Sequence, residues 1–192
     1  MMGSCKGDDR IVVEYPNSGM KEIYRINEDS LIHGEKLVFL EDGEVLYEKS
    51  HYANGLLSGD RYIYFPDGQI EIHEKYQNDV LSDTLKVYYP SGRLKLVMHY
   101  DHGELNGIVT KYYESGSIAE LVEFKANEEN GPFTEYYENG QLHWRGTYLN
   151  GENEFGLLEE FDDEGNPIKR MMCDSIAICN TIWTAEKGDI VH

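Results

Sequence analysis

Basic residues are scarce in this chain of 192 residues: 17 Lys and Arg stand against 36 Asp and Glu, a net charge of −19. That balance excludes a protein that grips a nucleic-acid backbone, which needs a basic face, and it disfavours an anionic membrane surface for the same reason. No apolar run approaches the roughly 18 residues of a membrane-spanning helix. Proline is rare, with 5 residues against 19 glycines, which suits a chain of many tight turns. The three cysteines, Cys5, Cys173 and Cys179, are too few for a disulfide scaffold and too scattered for the paired spacing of a structural zinc site. Disorder is excluded by what is present, since 12% of the residues are aromatic and 15 of them are Tyr.

Enzyme signatures are missing as well. The glycines stand singly rather than clustered before a helix, so no phosphate cradle is built. His73-Glu74 lacks a second His at zinc-helix spacing. The seven histidines (His33, His51, His73, His99, His102, His143 and His192) share no ligand spacing and read as structural or surface residues. Cys173 and Cys179 lie in an apolar tail and read as packing groups rather than nucleophiles. Asp162-Asp163-Glu164 reads as a solvated turn, not a cation site. No catalytic residue, cofactor or metal is therefore assigned.

Against these absences stands a repeat. Gly19, Gly43, Gly68, Gly92, Gly116, Gly140 and Gly165 recur every 24 or 25 residues. Counting from each glycine, position −4 is aromatic: Tyr15, Phe39, Tyr64, Tyr88, Tyr112, Tyr136 and Phe161. Position +2 is apolar in the middle units (Val45, Ile70, Leu94, Ile118, Leu142), and Tyr76, Tyr100, Phe124 and Tyr148 follow at +8. A second marker comes 15 or 16 residues after the first: Gly34, Gly59, Asp83, Gly107, Gly131 and Gly156. Two interleaved ladders mark a repeat architecture. The period of two after each glycine is that of a strand, and so is the aromatic, β-branched stretch before it, as in Lys86-Val87-Tyr88-Tyr89.

Each unit is thus a β-hairpin. A three-residue loop pairs −4 with +2 and places both series on one face, where a two-residue turn would split them. Such a loop is a type I turn closed by a left-handed residue, and glycine adopts that conformation at least cost. Pro66 and Pro90 fall at the turn position that favours proline. The expected fold is all-β: an elongated, twisted antiparallel meander of about seven hairpins, some fourteen strands, over residues 11–170. Residues 1–10 are expected to form a flexible N-terminal segment. Residues 171–192 are expected to cap the exposed edge and end in a tail, since Met171, Met172, Ile176, Ile178, Ile182 and Trp183 are apolar without a turn glycine.

Two stretches carry a family resemblance. Tyr88-Tyr89-Pro90-Ser91-Gly92-Arg93-Leu94 with Tyr100-Asp101-His102-Gly103-Glu104-Leu105-Asn106-Gly107, and Tyr136-Tyr137-Glu138-Asn139-Gly140-Gln141-Leu142 with Tyr148-Leu149-Asn150-Gly151, resemble the MORN-repeat variant. A chain built of such units over residues 13–168 resembles the bacterial YwqK-type antitoxin family. The resemblance implies an interaction module with a toxin-neutralising or immunity role. The first unit (Pro16, Asn17), Asp83 and the tail depart from the pattern.

One further ladder bears on partners. Position −3 holds Phe65, Tyr89, Tyr113 and Tyr137, opposite in parity to the −4 series. With one face buried these would form an exposed stripe beside Arg93, Lys95, His143 and Arg145, a surface suited to a protein partner; in a curled or covered sheet they would be core. The charge of −19 either keeps the array soluble or steers a basic partner such as a toxin. Oligomeric state is not legible. Met2-Gly3-Ser4-Cys5 resembles the end of a lipoprotein signal, with Cys5 as the lipidation site, but only Met1 precedes it. As written the chain reads as cytoplasmic; a longer native start would make it a cell-envelope lipoprotein, leaving Cys173 and Cys179 as a candidate pair.

Overall fold

The computed structural model describes residues 10–40 and 43–190. Cys5 and the N-terminal segment up to residue 9 lie outside the described residues. The chain divides at Gly92/Arg93 into two compact units. Unit 1 holds β1 (Ile11–Tyr15), β2 (Met20–Tyr24), β3 (Gly34–Leu40), β4 (Val45–Ala53), β5 (Leu56–Tyr64), β6 (Ile70–Gln77), β7 (Val80–Leu81) and β8 (Asp83–Tyr88). Unit 2 holds β9 (Leu94–Asp101), β10 (Glu104–Leu105), β11 (Gly107–Tyr112), β12 (Ile118–Lys125), β13 (Glu128–Tyr136), β14 (Leu142–Tyr148), β15 (Gly156–Phe161), β16 (Pro167–Cys173), β17 (Cys179–Thr184) and β18 (Gly188–Asp189). Every described element is a strand, and the fold is all-β, as the hairpin pattern predicts.

Within each unit the strands pair antiparallel in chain order. In unit 1 the pairing runs from β1 to β6, and β6 then takes both β7 and β8. In unit 2 β9 takes β10 and β11, and the ladder continues from β11 to β18. Among the described residues no pairing joins the first strand of a unit to its last, so each is an open meander. There are four strands more than fourteen: two arise where return strands break beside the second marker, at Ser82 and Asn106, and two are β17 and β18. Gly34, Gly59, Asp83, Gly107, Gly131 and Gly156 all have positive φ; at Gly59 and Gly131 the strand continues, with a β-bulge against the preceding strand and unshifted register with the following one.

The three-residue loop appears as derived in four hairpins: Tyr64 pairs with Ile70, Tyr112 with Ile118, Tyr136 with Leu142 and Phe161 with Pro167. At the first of these the Gly68 N–H donates to the Phe65 carbonyl at 2.9 Å, the Phe65 N–H donates to Gln69, and Gly68 sits at φ 86°. The first two hairpins differ: Tyr15 pairs with Met20 across a four-residue loop containing Pro16, and Leu40 pairs with Val45. The return turns are left-handed pairs. Asn54-Gly55, Asn78-Asp79, His102-Gly103 and Ala126-Asn127 have positive φ at both positions, which is the type I′ geometry that matches strand twist.

The expectation of one buried face lined by −4, +2, +4 and +8 is corrected. In these four hairpins a β-bulge follows the turn, as between Ile63/Tyr64 and Glu135/Tyr136, and adds one residue to the second strand. The parity therefore shifts, and +4, +6 and +8 share a face with −5 and −7 while the −4 aromatics turn to the other side. The deepest side chains of unit 2 lie on that face: Val122, Phe133, Leu158 and Cys173, with Leu158 at 1% exposure. Gly146 belongs to the same row because the Phe133 ring fills the space beside it; a Cβ there would stand 2.7 Å from the ring and 3.0 Å from Leu158.

Candidate functional site

The −3 aromatics are not an exposed stripe. Phe65, Tyr89, Tyr113 and Tyr137 are all half-buried. Two of them tie one hairpin to the next: the Tyr113 hydroxyl donates to the Tyr136 carbonyl at 2.7 Å, and the Tyr137 hydroxyl donates to the Phe161 carbonyl at 3.0 Å. Each reaches from position −3 of one repeat to the backbone at −4 of the following one. Sequence parity alone could not show this, because it depends on the 24-residue offset between adjacent turns. Arg93 is exposed and donates to the Glu114 and Ser115 carbonyls of the neighbouring turn at 2.8 and 3.2 Å. His143 is half-buried against the Tyr137 ring, 4.3 Å between centroids, with Glu135 3.7 Å from its Nδ1. Within unit 2 Arg93, Tyr113 and Tyr137 thus form part of the links between hairpins, while His143 packs inside its own.

A second set of candidates was missed from the sequence. At the end of unit 2, Phe155, Leu157, Met172, Ile176 and Ile178 are exposed, with Ile176 at 71%. Leu157 and Met172 are direct cross-strand partners on the side opposite Leu158 and Met171. Ile108 occupies the matching position in β11, one residue after its marker glycine, and is 52% exposed beside its partner Glu123. The signal was available: the residue after the second marker is Glu35, Asp60 and Thr84 in unit 1 but Ile108, Pro132 and Leu157 in unit 2.

Charged side chains form two networks. In unit 1 Lys36 meets Glu22 at 2.8 Å, and Arg61 bridges Glu48 at 2.7 Å and Glu74 at 2.8 Å. Burial works to raise the Glu48 carboxyl, but hydrogen bonds from Arg61 and Ser50 outweigh it and hold the group below its ordinary value. In unit 2 Glu159 is buried between Arg145 Nε at 2.7 Å and Arg170 Nε at 3.0 Å, on the face opposite Phe133. On the Phe133 side Glu120 and Glu135 stand directly opposite one another. Burial first, and then the Glu120 charge, push the Glu135 carboxyl up. Tyr148, stacked on Phe133, is pushed up to about 12 by burial and then by Glu129, Glu135 and Glu154.

Catalytic arrangements do not emerge from these groups. His73 Nε2 lies 2.8 Å from Asp60, but its ring is stacked on Tyr62, and the Ser50 hydroxyl, registered with Arg61 on the other face, is donated to Glu48. The Asp162 carboxylate accepts the Glu164 and Asn166 N–H groups and so closes its own turn; the hydrogen bonds from Asn166 lower its pKa. Cys173 and Cys179 face each other across β16 and β17 and are joined in a disulfide. Among the described residues no helix is long and apolar enough to cross a membrane.

Residues 57–78, 105–126 and 129–150 each match the MORN repeat variant. Three stretches of the chain are thus similar to the MORN-variant repeat. Each match contains one turn glycine, Gly68, Gly116 or Gly140, and ends on the first residue of a return turn, Asn78, Ala126 or Asn150, so each covers one hairpin of the kind derived from spacing. MORN repeats are a non-catalytic repeat family that binds proteins or membranes. No curated protein matches this sequence.

Proposed function

We propose that this MORN-repeat chain is a non-enzymatic binding protein that neutralises a basic protein partner by steric occlusion, in the manner of an antitoxin or immunity protein. The observation that carries the reading is the exposed apolar set of unit 2, Ile108, Leu157, Met172, Ile176 and Ile178, on a chain whose net charge is −19. Exposed apolar groups on the strands and the last turn of an open sheet favour contact with a second protein. The acidic surroundings, with Glu123 beside Ile108, select a basic one and speed its approach. The test is capture from the source organism on the full chain, followed by co-expression of the captured protein. The expected result is a basic protein, released at high salt, whose toxicity the wild-type chain relieves and Leu157→Asp with Met172→Asp does not. Tyr113→Phe with Tyr137→Phe should still protect. A captured partner whose binding ignores both salt and the aspartate substitutions overturns the reading.

A second reading, a cell-envelope lipoprotein that uses the same array as a scaffold, is favoured by the Cys173–Cys179 disulfide. Disulfides persist in oxidising compartments, and this pairing leaves Cys5 as the odd thiol, directly after Met2-Gly3-Ser4. Mass spectrometry of the native N-terminus distinguishes a lipidated Cys5 from a free one.

A further inference from the structure

The disulfide sits beside a carboxylate whose position the backbone fixes. Glu154 bridges to Tyr148, Gly156 pairs with Cys173, and Cys173 pairs with Cys179. Cys179 Sγ lies 3.5 Å from Glu154 Oε2, and both sulfurs and a carboxylate oxygen fall within 4.8 Å of one another. Cys173 is 3% exposed, while Cys179 and Glu154 are half-buried. Gly156 offers no side chain, and a Cβ there would meet no atom within 4 Å, so space for a ligand from solvent remains. Two sulfurs and one carboxylate around an open position are the donor set of a four-coordinate zinc ion that keeps one water. Thiolates select zinc over the hard cations magnesium and calcium.

We propose that the reduced protein binds one Zn²⁺ through Cys173, Cys179 and Glu154, with water as the fourth ligand, and that the disulfide is the metal-free state of the same site. Reduction takes two equivalents of a small-molecule thiol. The Cys173–Cys179 bond breaks, two S–H groups form, and the reductant leaves as its own disulfide. Zinc then displaces both thiol protons to solvent. Sulfurs bound at about 2.3 Å in a tetrahedral site stand about 3.8 Å apart, a separation that side-chain rotation can reach from Cα atoms 4.0 Å apart. Because the site lies at the end of the unit 2 core, zinc or disulfide would each add a cross-link to the β16–β17 ladder, and a free dithiol would add none. The site therefore closes the hairpin in either redox compartment.

The experiment is zinc titration of the full chain carrying Cys5→Ser, reduced and oxidised, against a chromophoric chelator. One equivalent is expected to bind the reduced form and none the oxidised form. Glu154→Gln should weaken binding by at least about tenfold, and Cys173→Ser with Cys179→Ser should abolish it. Cobalt(II) in place of zinc should give the near-ultraviolet thiolate-to-metal charge-transfer band, a readout that needs no core variant. Absence of stoichiometric binding by the reduced chain, absence of that band, or binding unchanged by either set of substitutions overturns the proposal.

Discussion

The two units fill the same two rows with different chemistry. In unit 1 the row at −5 and +4 contains Val38, Ile63, Ile72 and Val87 with Glu22 and Glu48 registered beside them, and the row at −7 and +6 contains Lys36, Arg61 and Glu74 with Ser50 and Leu85. In unit 2 the −7 and +6 row is apolar, with Val109, Val122, Phe133, Leu158 and Met171, while −5 and +4 hold Lys111, Glu120, Glu135, Glu160 and Lys169 around Trp144. The hairpin tolerates either arrangement because both rows lie on one face, two residues apart. What differs is the balance of charge. Unit 1 alternates signs across its strands, from Glu22 to Lys36 and from Glu48 through Arg61 to Glu74. Unit 2 also pairs Lys111 with Glu120 and Glu160 with Lys169, but it sets Glu120 against Glu135 and packs an apolar row beside them. A repeat of this kind is specified by its turns, and the rows between them are free to diverge.

The comparison breaks most sharply at Leu158. Leu158→Ala removes the least exposed side chain of the unit 2 core and should cost about 2–5 kcal/mol. Both tryptophans, Trp144 and Trp183, lie in unit 2, so the urea midpoint read by tryptophan fluorescence should fall; a midpoint within error of wild type would show that the apolar row is not what holds unit 2.

Arg61→Leu should cost less, about 2 kcal/mol, because it leaves Glu48 and Glu74 half-buried without their shared cation. Adding Glu48→Leu and Glu74→Leu would convert the ionic ladder to apolar chemistry and should recover most of the loss. Amide hydrogen exchange over residues 45–77 is the measurement. A triple variant worse than Arg61→Leu would mean that the ion pairs themselves stabilise unit 1.

The smallest effect is one of pH, and its sign differs between the units. Burial, and then the neighbouring Glu152, raise the Glu129 carboxyl, as burial and Glu120 raise that of Glu135. A carboxyl raised on folding contributes stability when protonated and loses it as pH rises through its folded value. Unit 2 should therefore gain stability as pH falls from 7 towards 5, seen as a higher tryptophan-reported urea midpoint. The Glu48 carboxyl is lowered on folding, so its contribution is present above the ordinary value of 4.5 and lost only as pH falls below it. Exchange protection in unit 1, corrected for intrinsic rates, should hold to pH 5 and then decline. A tryptophan midpoint that falls between pH 7 and 5 would contradict the assignment for unit 2.

The position of each glycine turn was legible in the sequence, and its three-residue form in four of the hairpins. Positive φ at Gly68 or Gly116 is a local demand that a single residue type meets, and its spacing carries the strand count of each hairpin. The exchange of rows was also written there, as Lys36 and Arg61 giving way to Val109, Phe133 and Leu158 at −7. It went unread because the −4 and +2 aromatics and aliphatics dominate the pattern. The face on which each series lies was not legible, since one bulged residue after the turn reverses the parity of everything that follows.

The amino-acid sequence alone determined that this chain is a run of antiparallel hairpins and where each one reverses, because turn geometry depends on neighbouring residues. Only the tertiary structure decided which face is buried, that Tyr113 and Tyr137 reach the backbone of the next hairpin, and that Glu154 joins Cys173 and Cys179. Those relations hold between strands some 20 residues apart, and they are set by register, twist and packing, which no local preference encodes.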